Sequence, residues 1–187
     1  MNKLKITFNS PAVLTFALLS FVAFLLNMMT NQASNRMLFM TYHSSLTDPL
    51  TYVRMFTHVL GHANWSHFIG NMSFILLLGP ILEEKYGYGR IVEVILITAF
   101  ITGVVHYIFF RNTSLLGASG VVFAFILLTS FTSFKKGEIP ITFILIAVIY
   151  LGQQVSEAFF VTDNISNLSH IIGGVVGAFV GYTLNQK

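Results

Sequence analysis

Long apolar stretches separated by polar connections run through almost the whole of this 187-residue chain. A membrane-spanning helix needs about 20 predominantly apolar residues. Six stretches approach that length, over residues of about 11–29, 66–82, 91–110, 117–134, 139–156 and 166–184. The connections are short and favour antiparallel neighbours, except for a long polar one over residues 30–65. The pattern predicts an all-α membrane protein, a compact bundle of six transmembrane helices.

The composition supports this prediction and excludes several other classes. Hydrophobic residues make up 55% of the chain and charged residues only 9%, against about 25% charged in soluble domains. A large soluble domain has no room here, so we expect a single domain over residues 1–187. The chain has no cysteine, which excludes disulfides and thiolate metal sites. The basic residues are scattered rather than clustered along one face, so we expect no nucleic-acid partner.

Lysine and arginine in the connections predict the orientation in the membrane. A cleaved signal peptide is an alternative for the first apolar run, but that run is long for a signal core and no A-x-A site follows it. With the N-terminus in the cytoplasm, seven basic residues lie inside, namely Lys3, Lys5, Lys85, Arg90, Lys135, Lys136 and Lys187. The outer side then has three, Arg36, Arg54 and Arg111. We therefore expect both termini in the cytoplasm of a cell-membrane protein, with the second, fourth and sixth spans starting at the outer face.

Polar side chains that suit one reaction stand at the starts of these three spans. The second span begins with His67 and, four residues later, Asn71, which share one helical face. The fourth begins with Ser119 inside the sequence GASG, and the sixth begins with His170. Because polar groups in a membrane span are costly, they tend to mark function or buried pairing. These four side chains are predicted to lie at a similar depth below the outer surface.

Small residues predict which spans pack together. In the sixth span they recur every four residues, at Gly173, Gly177 and Gly181, and in the fourth span they flank or follow the serine, at Gly117, Gly120 and Ala124. Such stripes let helices approach backbone to backbone. Packing through them would bring the Ser119 hydroxyl towards the His170 ring, as a nucleophile with its general base.

Three of the four polar residues, Ser119, His67 and Asn71, could also stabilise an oxyanion. The Ser119 N–H has no partner inside its helix, and His67 and Asn71 could add side-chain donors. The two aspartates, Asp48 and Asp163, fall in predicted loops. A serine–histidine dyad is therefore expected rather than a triad.

Other interpretations remain open from the residues alone. The glycines could serve packing only, and His67 and Asn71 could form an interhelical hydrogen bond. A zinc site on His58, His62 and His67 would have a poor ligand set, so no metal and no cofactor are expected. A small membrane transporter would want charges or broken helices at the midplane; here the charges cluster at the span ends. We expected His106 to lie at the membrane interface.

The chain resembles the rhomboid intramembrane serine proteases. The resemblance rests on RMFTHVLGHANWSHFIGN, ILEEKYG, LGASG and SHIIGGVVG, which cover about residues 52–182. It implies a minimal six-helix core that cleaves transmembrane protein substrates in or near their spans within the lipid bilayer. Ser119 would be the nucleophile and His170 the base, with His67 and Asn71 at the oxyanion. A catalytically silent relative that only binds membrane clients is the alternative.

The resemblance also implies roles for residues outside the dyad. Glu83 matches a glutamate of the family at the inner end of the second span. Arg54 is kept from a tryptophan–arginine pair in which Val53 replaces the tryptophan, and Phe123 stands where a tyrosine is common. Phe123 could still pack against the His170 ring. The connection 30–65 would lie partly in the membrane surface, to which its mixture of aromatic residues, methionine and histidine is suited.

Overall fold

The computed structural model describes residues 7–132, 138–160 and 164–185 of this membrane protein. The α-helices are α1 to α7, over Pro11–Met29, Pro49–Thr57, Trp65–Tyr86, Tyr88–Phe109, Ser119–Ser130, Ile141–Phe160 and Asn164–Leu184. Two short strands, β1 and β2, lie at Thr41–Tyr42 and Ser114–Leu115. The expected all-α membrane class is confirmed, with one small antiparallel strand pair added to it.

An α-helix occurs in each of the six predicted stretches, as α1, α3, α4, α5, α6 and α7. By length and composition, α1, α3, α4 and residues 167–184 of α7 could each cross a membrane. These helices make the chain a multi-pass membrane protein. The number of six crossings and the single domain over residues 1–187 stay predictions.

Helix α5 is shorter than the predicted span over residues 117–134. It begins at Ser119 because Gly117 has φ +122°, outside the helical region, and Ala118 is also non-helical. It ends at Ser130 and so has 12 residues, which corresponds to about 18 Å. That is well short of the hydrocarbon thickness of about 30 Å. The serine therefore stands at the start of a helix that is too short to cross the bilayer.

Helix α3 is longer than its predicted span over residues 66–82: it begins at Trp65 and ends at Tyr86, directly before Gly87, where φ is +85°. The extra turn carries Glu83, whose carboxylate oxygens accept hydrogen bonds from the backbone N–H groups of Ala12 and Val13 at 2.9 and 3.0 Å. Glu83 thus caps the first turn of α1. Ser10, which directly precedes the helix, makes no side-chain capping hydrogen bond.

The bundle has an apolar exterior and a core that includes polar side chains. Phe179, Leu77 and Val148 are each more than 60% exposed, as expected for surfaces that face lipid. The apolar core contains fully buried residues from α1, α3, α4 and α5, including Val13, Ile75, Ile91 and Phe125. Thr98 and Thr102 are buried with them on α4. The exterior is therefore apolar, and the polar side chains within the bundle are placed away from lipid, where polar groups are costly.

The predicted polar connection over residues 30–65 contains regular structure. It includes a π-helical turn (Asn35–Phe39), β1, α2 and a 3₁₀ turn (His58–Leu60). Strand β1 pairs antiparallel with β2, which leads towards Ser119, through Thr41 opposite Leu115 and Tyr42 opposite Ser114. The connection is therefore built onto the same end of the bundle as Ser119.

Helices α5 and α7 contact each other backbone to backbone. A Cβ atom on Gly173 would lie 2.0 Å from the carbonyl oxygen of Gly120, and one on Gly177 would lie 2.1 Å from that of Ala124. One turn further along α7, a Cβ on Gly181 would lie 2.6 Å from the Phe131 ring. No side chain fits at Gly173 or Gly177 without separating the two helices, because the atoms it would meet belong to the backbone of α5.

This contact predicts that Gly177→Ala destabilises the protein. The new methyl group would collide with the Ala124 carbonyl, a backbone atom that cannot rotate away, and we expect a loss of about 1–3 kcal/mol. The matched control is Gly70→Ala on α3, where a Cβ meets nothing within 4 Å and alanine favours the helix. Thermal unfolding in detergent would measure both; equal melting temperatures for the two variants would contradict the packing described here.

Candidate functional site

The segment before α5 holds Ser119 at the first position of the helix. Gly117 donates its backbone N–H to the carbonyl oxygen of His58 at 2.9 Å, which ties this segment to the long connection. The β1–β2 pair provides a second attachment a few residues earlier. Because the first N–H groups of a helix have no intrahelical acceptor, the Ser119 amide is available beside its own hydroxyl.

His67 and Asn71 project from α3 towards this segment. A Cβ on Gly117 would lie 2.5 Å from His67 Nε2 and 3.7 Å from Asn71 Nδ2. Asn71 is 8% exposed, and within the described part of the chain its Nδ2 is a buried nitrogen without a hydrogen-bond partner. Two side-chain nitrogens therefore converge on the backbone two residues before Ser119, where only glycine leaves them room.

His170 reaches the same end of the bundle from α7. Its ring stacks on the Phe123 ring with centroids 4.3 Å apart and an interplanar angle of 9°, so the packing expected for Phe123 is confirmed. Phe123 lies one turn after Ser119 on α5, on the same face. The carbonyl of Ser169 lies 3.3 Å from a Cβ built on Gly120. The structure thus brings Ser119, His170, His67 and Asn71 to one end of three adjacent helices.

Two buried histidines of the long connection, His58 and His62, lie next to this group of side chains. The sequence did not predict their burial. His58 and His62 are 1% and 0% exposed. The His58 ring nitrogen Nε2 lies 3.0 Å from the Ala99 carbonyl and 3.3 Å from the Thr102 hydroxyl of α4. Because both side chains are buried, neither His58 nor His62 contributes to a membrane-surface face of the connection. The sequence feature that could have indicated their burial is the spacing of four residues between the two histidines, next to Gly61.

Burial changes the protonation of both histidines. Desolvation lowers the pKa of His58 to about 4, against a usual 6.5, although its bond to the Ala99 carbonyl opposes this. Desolvation is also the main reason that the pKa of His62 falls to about 4, with His67 adding to the effect. Both rings are therefore neutral at pH 7.

Arg54 anchors the part of the connection that contains β1 and the start of α2. It is 2% exposed and forms an ion pair with Asp48 at 2.8 Å, which lowers the pKa of that carboxyl. Its guanidinium carbon lies 4.6 Å from the centroid of the Tyr42 ring, in the geometry of a cation–π contact. Since Tyr42 pairs with Ser114, this buried charge supports the segment that leads to Ser119.

The interfacial depth expected for His106 stays a prediction, but its side chain lies inside the protein rather than on the surface. It is 2% exposed, and its Nε2 lies 3.2 Å from the carbonyl oxygen of Thr113. Its ring also stacks on Phe110. The Thr113 carbonyl, in the loop after α4, is thus a partner for His106 inside the protein. The apolar sequence around His106 does not indicate this contact.

The described residues contain no group of three metal-ligating side chains close enough to hold an ion. Of the histidines weighed for zinc, His58 turns to α4, whereas His62 and His67 contact each other with ring centroids 5.1 Å apart. The donor atoms of the three therefore do not converge on one point.

Comparison with known proteins agrees with the resemblance in the sequence. A family model described as a rhomboid domain matches residues 49–187. Rhomboid-related protein 1 of Caenorhabditis elegans is 29% identical over 140 residues, which cover 70% of this chain and 39% of that protein. Rhomboid-related protein 2 of Mus musculus is 31% identical over 160 residues, which cover 74% and 53%. The chain thus spans about half or less of the length of these two relatives.

The buried histidines predict how stability depends on pH. Because the folded-state pKa values of His58 and His62 are depressed, the unfolded chain binds more protons than the native protein between pH 6.5 and about 4. The free energy of unfolding should therefore fall as the pH decreases through that window. Melting temperatures in detergent across the window would measure it, and His58→Gln should flatten the slope. A slope that His58→Gln leaves unchanged would remove this histidine as a cause.

Proposed function

The chain belongs to the rhomboid family, and on that premise we propose that it is an intramembrane serine endopeptidase. Its substrates would be transmembrane proteins, cleaved in or near their membrane spans by a dyad of Ser119 and His170. No metal or cofactor is required by this chemistry. The observation that carries the proposal is the meeting of four polar side chains at the end of three helices, two of which touch backbone to backbone.

In the proposed reaction the Ser119 hydroxyl attacks the carbonyl carbon of the scissile peptide bond. His170 accepts the hydroxyl proton as the new C–O bond forms, and then donates it to the amine nitrogen as the C–N bond breaks. A water molecule attacks the resulting ester and passes a proton through His170 back to the Ser119 oxygen. The products are a carboxylic acid, an amine and the regenerated enzyme. The stacked Phe123 ring limits rotation of the His170 ring during both transfers.

The proposed oxyanion site consists of the Ser119 backbone N–H with His67 Nε2 and Asn71 Nδ2. The nearness of both nitrogens to Gly117 supports this assignment, because a substrate carbonyl lying over that backbone would meet them. A buried donor without a partner, such as Asn71 Nδ2, is a strong hydrogen-bond donor for a charge that develops in the transition state. Fixed donors of this kind need no reorganisation when the reaction occurs.

The short helix α5 supports cleavage within the depth of the bilayer. A helix of about 18 Å that reaches one interface ends inside the hydrocarbon layer, so Ser119 would lie below the opposite surface. The charge distribution supports an outer-facing site in a cell membrane, with both termini in the cytoplasm. Five of the seven basic residues on the predicted inner side, Lys3, Lys5, Lys135, Lys136 and Lys187, lie outside the described residues.

We expect Ser119→Ala and His170→Ala each to abolish cleavage of single-span fusion substrates in proteoliposomes while the protein still folds. The matched control is Ser130→Ala near the other end of the same helix, where the hydroxyl donates to the Ile126 carbonyl; its loss should leave cleavage intact. A fluorophosphonate should label Ser119 alone, as mapped by mass spectrometry. Cleavage by purified Ser119→Ala would exclude the proposed chemistry.

Asn71→Ala tests the oxyanion assignment. Because three donors share the developing charge, we expect a loss smaller than that of the serine variant, up to about 10²-fold in kcat. KM should change little, since the interaction is made in the transition state. Wild-type turnover in Asn71→Ala would remove this residue from the site.

A further inference from the structure

His62 lies inside the protein, next to His67. The proposed reaction assigns no role to it. It is 0% exposed. Its ring meets the His67 ring at an angle of 65° with centroids 5.1 Å apart, and meets the Phe68 ring at 85° and 5.3 Å. His62 therefore stands edge to face between two successive side chains of α3.

Hydrogen bonds hold His62 from two other parts of the chain. Its carbonyl oxygen accepts from the Asn35 side chain at 3.1 Å and from the Asn27 side chain of α1 at 3.4 Å. Its ring nitrogen Nδ1 lies 3.1 Å from the Leu60 carbonyl, so the ring is fixed as well as the backbone. Both asparagines are at most 3% exposed. A side chain with these attachments forms a rigid surface.

His67, by contrast, lacks an intrinsic restraint on its ring. Rotation about the terminal bond of a histidine side chain is broad and only weakly restricted by the torsion itself. The ring must nevertheless point Nε2 at the backbone near Gly117 if it is to donate a hydrogen bond there. A fixed orientation of the His67 ring therefore requires neighbouring side chains that are themselves held in place.

We propose that His62 is a positioning residue that holds the His67 ring at the rotation in which Nε2 faces the oxyanion, with Asn27 and Asn35 securing His62 from behind. The proposal rests on the proposed function of His67. It extends the functional unit from α3, α5 and α7 to α1 and the long connection. A purely structural role for His62 would lower stability without changing the turnover of correctly folded molecules.

The test measures kcat per fluorophosphonate-reactive site, so that unfolded molecules do not count. We expect His62→Ala to lower this kcat by on the order of 10–100-fold with little change in KM. His62→Phe, which keeps a ring against His67, should restore most of the loss. His43→Ala in the same connection is the matched control, because its ring contacts Tyr107 instead, and its kcat per site should equal that of the wild type.

A double-mutant cycle provides the decisive comparison. If His62 acts through His67, then adding His62→Ala to His67→Ala costs nothing further. Additive losses, or a kcat per site unchanged in His62→Ala, would overturn the proposal. Asn35→Ala supplies a second variant in case His62→Ala fails to fold, with a smaller loss of the same kind expected and an unchanged kcat per site counting against the proposal.

The proposal and the proposed function fail in different ways. A wild-type protein that neither cleaves nor takes the fluorophosphonate label would refute the protease assignment. The orientation of the His67 ring can be followed without catalysis, by solid-state NMR of ¹⁵N-histidine protein in lipid. Greater ring motion of His67 in His62→Ala than in the wild type is expected there, and equal motion would overturn the positioning role.

Discussion

The structure depends on one contact, the approach of α5 to α7 at positions without side chains. Gly173 sits over the carbonyl of Gly120, and Gly177 sits over that of Ala124. In lipid no hydrophobic effect drives helices together, so close backbone packing must supply the attraction. Ser119 and His170 each lie within a turn of this contact on their own helix. The separation of α5 and α7 at this contact therefore determines how close Ser119 and His170 can come to each other.

Glycines perform the same task where the long connection meets the bundle. A Cβ on Gly61 would lie 2.1 Å from the Phe39 carbonyl oxygen, and one on Gly103 of α4 would lie 2.5 Å from that of Met55. The connection is thus packed as closely as the helix pair. Its buried ion pair at Arg54 and its strand pair with β2 act with these contacts to keep the segment before Ser119 in position.

The fold class and the grouping of the four polar residues could be predicted because they depend on local spacing. Apolar runs, four-residue glycine repeats and the pair His67 and Asn71 are all properties of single helices. The interior of the connection could not be predicted, since buried polar residues such as His58 and His62 look like surface residues when their acceptors lie elsewhere in the chain. The start of α5 at Ser119 could not be predicted for a related reason. It depends on the positive φ of Gly117, which results from contacts with residues distant in the sequence.

The link between Glu83 and the start of α1 has a consequence for how the molecule forms. Ala12 and Val13 offer their N–H groups to a carboxylate that is made 70 or more residues later. During synthesis the first turn of α1 must keep these donors in water or at the lipid headgroups until α3 arrives. The first turn of α1 is in this way completed only when a helix made later in synthesis packs beside it.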